Sequence, residues 1–144
     1  MKRDPLDIVY SEFIAIREDN SSVEGAVRMR VKIDPLDKLA SKCVKSRDKW
    51  CQRCGGTGGL QTAHFHSRRK RSVRYDLENL CLLCFGCHQY FHENPDKFKE
   101  FFKTRLGERA FDMLNSRARI TQKVDENALG LYLKARILEI DKEE

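Results

Sequence analysis

Two Cys-x-x-Cys knuckles constrain this chain more than anything else in it: Cys51-Gln52-Arg53-Cys54 and, further on, Cys84-Phe85-Gly86-Cys87. Four thiolates presented by two short turns make a tetrahedral zinc site, of the closed, structural kind rather than the catalytic kind. The segment between the knuckles carries His64, His66 and Asn79, and His88 and His92 follow the second knuckle. These side chains are left over once the zinc is full. That surplus points to an enzyme rather than to a zinc-stapled scaffold alone.

At 144 residues the chain holds one domain, or one small domain with a helical extension. Residues 51–92 are too few to bury a comfortable core by themselves, and zinc offsets that shortage by on the order of 10 kcal/mol or more. The formal net charge is +6 and unevenly spread. Residues 49–75 contain no Asp or Glu, yet hold Lys49, Arg53, Arg68, Arg69, Lys70, Arg71 and Arg74. A basic block inside the metal-ligand region predicts a polyanion beside the site, with nucleic acid foremost; the plain alternative is a solvated basic loop. Asp4, Asp7 and Glu12 interrupt any apolar run at the N-terminus, so no signal peptide is expected. No stretch approaches the length of a membrane span. Six cysteines then read as thiols and metal ligands rather than disulfides, and a cytoplasmic protein without a membrane partner is expected.

Residues 27–33 alternate apolar and basic side chains, a strand pattern, whereas 8–16 fit neither period and 19–22 read as a turn. Asp34-Pro35 predicts a helix start, with Leu36, Leu39, Ala40 and Cys43 on its buried face to about residue 48, and Trp50 packed beside the first knuckle. A glycine turn at 55–59 leads to a strand over 60–66, a basic loop over 67–76 and a returning strand over 80–83. A helix from about Cys87 carries His88 and His92. Asn94-Pro95 predicts a further helix through Phe98, Phe101, Phe102 and Leu106, stopped by Gly107. A short helix over 108–114 and a last one capped by Asp125, with Leu129, Leu131, Leu133, Ile137 and Ile140 near its apolar side, complete the reading.

Strand, loop, strand and helix with knuckles at both ends, carrying Ala63-His64-Phe65, Asn79-Leu80-Cys81-Leu82-Leu83-Cys84, His88 and His92, resembles the HNH endonucleases over residues 51–92. The phrases Asp34-Pro35-Leu36-Asp37-Lys38-Leu39, His64-Phe65-His66-Ser67-Arg68 and Arg74-Tyr75-Asp76-Leu77-Glu78-Asn79 are similar to phage HNH proteins of the NinG recombination type. The resemblance implies an α+β fold: a ββα-metal (HNH) core stapled by a four-cysteine zinc, with flanking helices. The expected organisation is an N-terminal strand and helix extension over 1–48, the zinc-stapled core over 49–94 and a C-terminal helical extension over 95–144. Structural zinc falls to Cys51, Cys54, Cys84 and Cys87.

By the same resemblance His64 is the general base and Asn79 orients it through nearby backbone or imidazole. His88 and His92 lie four apart, so one helical face presents both to a single catalytic ion, Mg²⁺, Mn²⁺ or another divalent metal. Many family members carry Asp or His immediately before the base, where this chain has Ala63; His66 is a substitute ligand or a phosphate contact. Arg68, Arg69, Lys70, Arg71 and Arg74 are the expected DNA contacts. Alternatives stay open. His88 can merely abut the zinc, and Cys81, equally spaced with Cys84 and Cys87, can replace one of their thiols, although a strand position favours a buried free thiol. The function implied is metal-dependent hydrolysis of DNA phosphodiester bonds, with a non-catalytic, zinc-stapled DNA-binding module as the alternative and a homodimer suited to double-strand cutting.

Overall fold

Asp34 and Pro35 start the first helix as expected. The Asp34 carboxylate accepts from the Leu36 amide at 2.9 Å, and Pro35 stands in the first turn, where its missing N–H is no loss. This helix, α1 (Pro35–Asp48), buries Leu36, Ala40, Cys43 and Val44. The computed structural model describes residues 33–143, so apart from Ile33 the alternating segment 27–33 and everything before it lie outside the described residues. Lys49 follows in the left-handed region at φ +64° and turns the chain into the first knuckle. The Trp50 amide closes that turn onto the Asp48 carbonyl at 2.7 Å, and the indole is left exposed rather than packed beside the knuckle.

Strands β1 (Leu60–His64) and β2 (Leu80–Cys84) form an antiparallel pair with Gln61 opposite Leu83, Ala63 opposite Cys81 and His64 opposite Leu80. β1 ends two residues earlier than the sequence suggests. After His64 the Phe65 amide bonds to the Asn79 carbonyl, and the His66 amide is taken by the Asn79 side chain instead of a ladder partner. The period-two alternation divides the hairpin into two faces. Leu80 and Leu82 enter a core with α1 and the last helix, whereas Ala63, Cys81 and Leu83 enter a second core with the helices that follow β2.

Those helices are α2 (Phe85–Glu93), α3 (Pro95–Leu106) and α4 (Glu108–Ala118). α2 begins two residues before Cys87, because Cys84 serves as its N-cap, its sulfur accepting from the Cys87 amide at 3.4 Å. Asn94 does not cap α3; its carboxamide donates back to the Tyr90 carbonyl at 2.8 Å. Phe98, Phe101 and Phe102 are core residues, with Phe98 stacked on Phe91 at 4.8 Å and Phe102 on Phe65 at 5.0 Å. The last helix, α5 (Glu126–Lys142), is capped by Asp125, whose carboxylate takes the Asn127 and Ala128 amides. Leu133 and Ile137, four apart, are buried, while Leu131 turns outward and is exposed. α5 lies on α1, where the Cys43 thiol donates to the Leu133 carbonyl.

A buried carboxylate ties the two cores together. Asp48, 6 % exposed, accepts from the Leu82 amide at 2.9 Å, from Arg47 Nε at 2.7 Å and from Arg105 Nη2 at 3.0 Å. It joins the end of α1 to β2 and α3, and two guanidinium partners plus an amide make its burial tolerable. Among the described residues no helix is long and apolar enough to cross a membrane.

Candidate metal centre and active site

The hairpin and the cap at Cys84 bring the two knuckles onto each other. Cys51, Cys54, Cys84 and Cys87 place their sulfurs all within 4.8 Å of one another, and Cys54 and Cys84 are 3.7 Å apart. A tetrahedron of thiolates at Zn–S of about 2.3 Å has an edge of roughly 3.8 Å, so the quartet fits zinc in geometry as well as in donor type. Gly55 at φ +75° and Gly56, whose Cβ would stand 3.3 Å from the Cys54 sulfur, let the first turn close this tightly. Burial pushes the Cys51 thiol up, but backbone amides of Cys54, Cys84 and Arg53 outweigh it and bring it down to about 6. Burial, reinforced by the neighbouring sulfurs against the pull of Arg53, pushes Cys87 up to about 12. Four sulfurs in this space could hold one divalent cation, which would draw the proton from Cys87. Cys81 stands apart: it faces the second core, fully buried, and burial pushes its thiol up to about 12.

The helix histidines form a separate pair on one face of α2. Their Nε2 atoms approach to 3.1 Å, with the rings 4.6 Å apart. Adjacent nitrogen ligands of one divalent ion stand roughly 3.0–3.4 Å apart at bond lengths of about 2.0–2.1 Å, so the pair is spaced as two ligands would be. His88 is buried and contacts β1 through Gln61, whose carboxamide oxygen lies 2.8 Å from Nδ1. Gln61 was not foreseen from sequence. Its signal was available: it shares a strand face with Ala63, the position lacking a ligand.

His64 projects from the other face of the hairpin, beside α1. Its Nε2 lies 3.1 Å from the Arg74 carbonyl oxygen. A carbonyl only accepts, so Nε2 carries the proton and Nδ1 keeps its lone pair. Burial, with the Arg68 charge adding to it, pushes the imidazole down to about 4, which leaves it neutral at working pH. Asn79, fully buried, makes no bond to that ring. Its side chain accepts from the His66 amide at 2.7 Å and donates to the His66 and Val73 carbonyls at 3.1 and 3.0 Å. It fixes the whole 66–79 loop, including the Arg74 carbonyl that holds His64.

His66 is directed elsewhere. Its Nε2 meets the Asn115 carboxamide oxygen on α4 at 2.8 Å, and its ring lies edge-on to Phe65. Among the described residues the cysteine quartet is the one group of three or more His, Cys, Asp or Glu side chains gathered as ligands would be, and His66 meets Asn115 rather than the His88–His92 pair. Ala63 presents a fully buried methyl on the face of Gln61, at the place of the missing ligand.

The basic loop is less free than its composition implies. Arg74 is bound to Asp37 at 2.5 Å and approaches Asp34 at 3.7 Å, and Arg71 pairs with Glu126 at 2.9 Å. Arg69 and Lys70 are exposed and Arg68 half-buried near His64, so three of the five expected phosphate contacts remain in reach of a ligand without breaking an ion pair.

No curated protein and no solved structure matches the chain. Residues 51–93, the span from the first cysteine of the quartet to the end of the helix bearing the histidine pair, match the family model described as HNH endonuclease.

Proposed function

We propose that the protein is a metal-dependent DNA endonuclease in which the cysteine quartet holds a structural zinc, His88 and His92 hold a divalent ion on one face of the hairpin, and His64, at the end of β1 on the other face, is the base that meets the scissile phosphate at that end. The observation that supports this reading is the approach of His88 Nε2 to His92 Nε2 at 3.1 Å, a distance at which the two nitrogens share a proton or, with that proton displaced, a divalent ion. A divalent ion held there, Mg²⁺, Mn²⁺ or a transition metal, would neutralise charge on the scissile phosphate and the leaving oxygen. His64 takes a proton from the attacking water at Nδ1, while its Nε2–H stays on the Arg74 carbonyl. Asn79 holds that carbonyl's loop in place, and Arg68, Arg69 and Lys70 bind phosphates on either side of the cleavage point.

The test is nicking of supercoiled plasmid by zinc-loaded protein with Mg²⁺, with Mn²⁺ and with chelator. Cleavage that needs the added ion and falls about 10²–10⁴-fold in His64→Ala, with DNA affinity kept, supports the assignment. One observation favours the second reading, a DNA-binding module without catalysis: Ala63 is fully buried where many HNH proteins have a ligand. Protein that binds DNA and never cuts it under any divalent ion would establish that reading instead.

A further inference from the structure

The outward face of α1 carries a line of lysines that neither metal site uses. Lys38, Lys42 and Lys45 follow one another at four and three residues, so they share one face of the helix, and Lys49 follows in the left-handed turn just beyond it; all four are exposed. This face points away from the buried residues Leu36, Ala40, Cys43 and Val44. Ser46 flanks the line, and Ser41 turns its hydroxyl to Thr62 of β1 at 2.8 Å, so no acid interrupts it. The two aspartates of the helix turn inward to ion pairs, Asp37 with Arg74 and Asp48 with Arg47 and Arg105. Lys38, Lys42 and Lys45 form no ion pair with another described residue.

We propose that this lysine ridge is a second nucleic-acid surface, outside the HNH segment, that tracks the phosphates of one DNA strand. The dimensions fit. The ridge runs about 10 Å along the helix axis from Lys38 to Lys45, with one cation every 4.5–6 Å or so, and Lys49 extends it past the helix end, against about one phosphate per 3.4 Å of axis on each strand. Flexible ammonium stems adapt to that mismatch as point charges, which suits sequence-independent backbone contact. A solvated helix face ordinarily mixes both signs in i,i+4 pairs; Lys38, Lys42 and Lys45, three like charges at these spacings, repel and are tolerated at a cost, which a polyanion removes. The ridge begins one residue from Asp37, the partner of Arg74, whose carbonyl holds His64. It ends beside exposed Trp50, the chain's single tryptophan. A strand following it therefore leads away from the candidate base towards the zinc knuckles.

The proposal rests on DNA as the partner but not on cleavage. The experiment compares full-length, zinc-loaded wild type with Lys38→Ala/Lys42→Ala/Lys45→Ala, three exposed replacements that helix propensity tolerates. Affinity for a mixed-sequence duplex is measured across a salt series, with Trp50 emission as the readout. The triple variant should lose affinity at every salt concentration, and its log–log salt slope should flatten by roughly 0.9 for each phosphate it no longer neutralises. Its nicking rate at saturating protein should stay that of wild type. An unchanged slope and affinity would overturn the ridge even if the protein cuts DNA. A flattened slope in a protein that never nicks would retain the ridge and remove the endonuclease.

Discussion

The Gln61 carboxamide oxygen stands 2.8 Å from Nδ1 of His88, and it fixes which nitrogen of that ring carries the proton. An amide oxygen only accepts, so Nδ1 carries the proton and Nε2, the atom facing His92, keeps its lone pair. Hydrogen bonds of this kind orient a ligating imidazole and raise its basicity. Gln61→Ala is therefore expected to weaken Mn²⁺ or Co²⁺ binding to the zinc-loaded protein by roughly 10–100-fold, read by calorimetry, while the zinc stays bound. Gln61→Glu, which preserves the acceptor, should restore most of the affinity. An unchanged dissociation constant in Gln61→Ala would mean that β1 does not orient His88.

Zinc removal separates the two cysteine environments. Cys84→Ser opens the quartet and also alters the cap of α2, so it should lose the tightly held zinc, about one per chain in the parent, and unfold without a cooperative transition. Cys81→Ser should keep the zinc, because that thiol lies in the core and burial holds it protonated. Metal analysis of the two variants decides the matter. Zinc lost from Cys81→Ser but kept in Cys84→Ser would reverse the ligand assignment.

The knuckles, the hairpin and the helix starts at Asp34-Pro35 and Asp125 were legible in the sequence because each depends on local chemistry: the two aspartates cap by short-range bonds, and each Cys-x-x-Cys turn closes on itself. What could not be read were the destinations of polar side chains over long separations. Arg74 looked like a phosphate contact until the fold set it on Asp37, and His66 looked like a spare ligand until α4 supplied Asn115. Asp48 has a local partner in Arg47, but the two that explain its burial, the Leu82 amide and Arg105, come from β2 and α3. Trp50 was misplaced for a backbone reason, the left-handed turn at Lys49 that leaves the indole outside.

Asn79 should prove a stability residue as much as a catalytic one. Its side chain satisfies the His66 amide and the His66 and Val73 carbonyls inside the protein. Asn79→Ala strands these groups, at about 1–3 kcal/mol for a buried orphan, and frees the loop that carries the Arg74 carbonyl. Denaturant melts should show a loss of that order, with nicking reduced in parallel. Full stability with abolished nicking would indicate direct contact with the reacting groups instead.

Finally, the burial of His64 makes a signed prediction about pH. Its imidazole is held down to about 4 by burial and the Arg68 charge, whereas in the unfolded chain it titrates near 6.5. Between those values the unfolded state binds the proton and the folded state does not, so this contribution is complete above about pH 6.5 and is lost as pH falls towards 4. The loss should amount to at most about 3 kcal/mol in urea melts of the wild type between pH 7 and pH 4. His64→Gln, which keeps a donor for the Arg74 carbonyl but cannot titrate, should show a flatter pH dependence. The same neutral imidazole sets the acid limb of nicking, which should fall off near pH 4–5 rather than near 6.5. A limb centred at 6.5 with parallel melts of wild type and His64→Gln would mean that another group is the base.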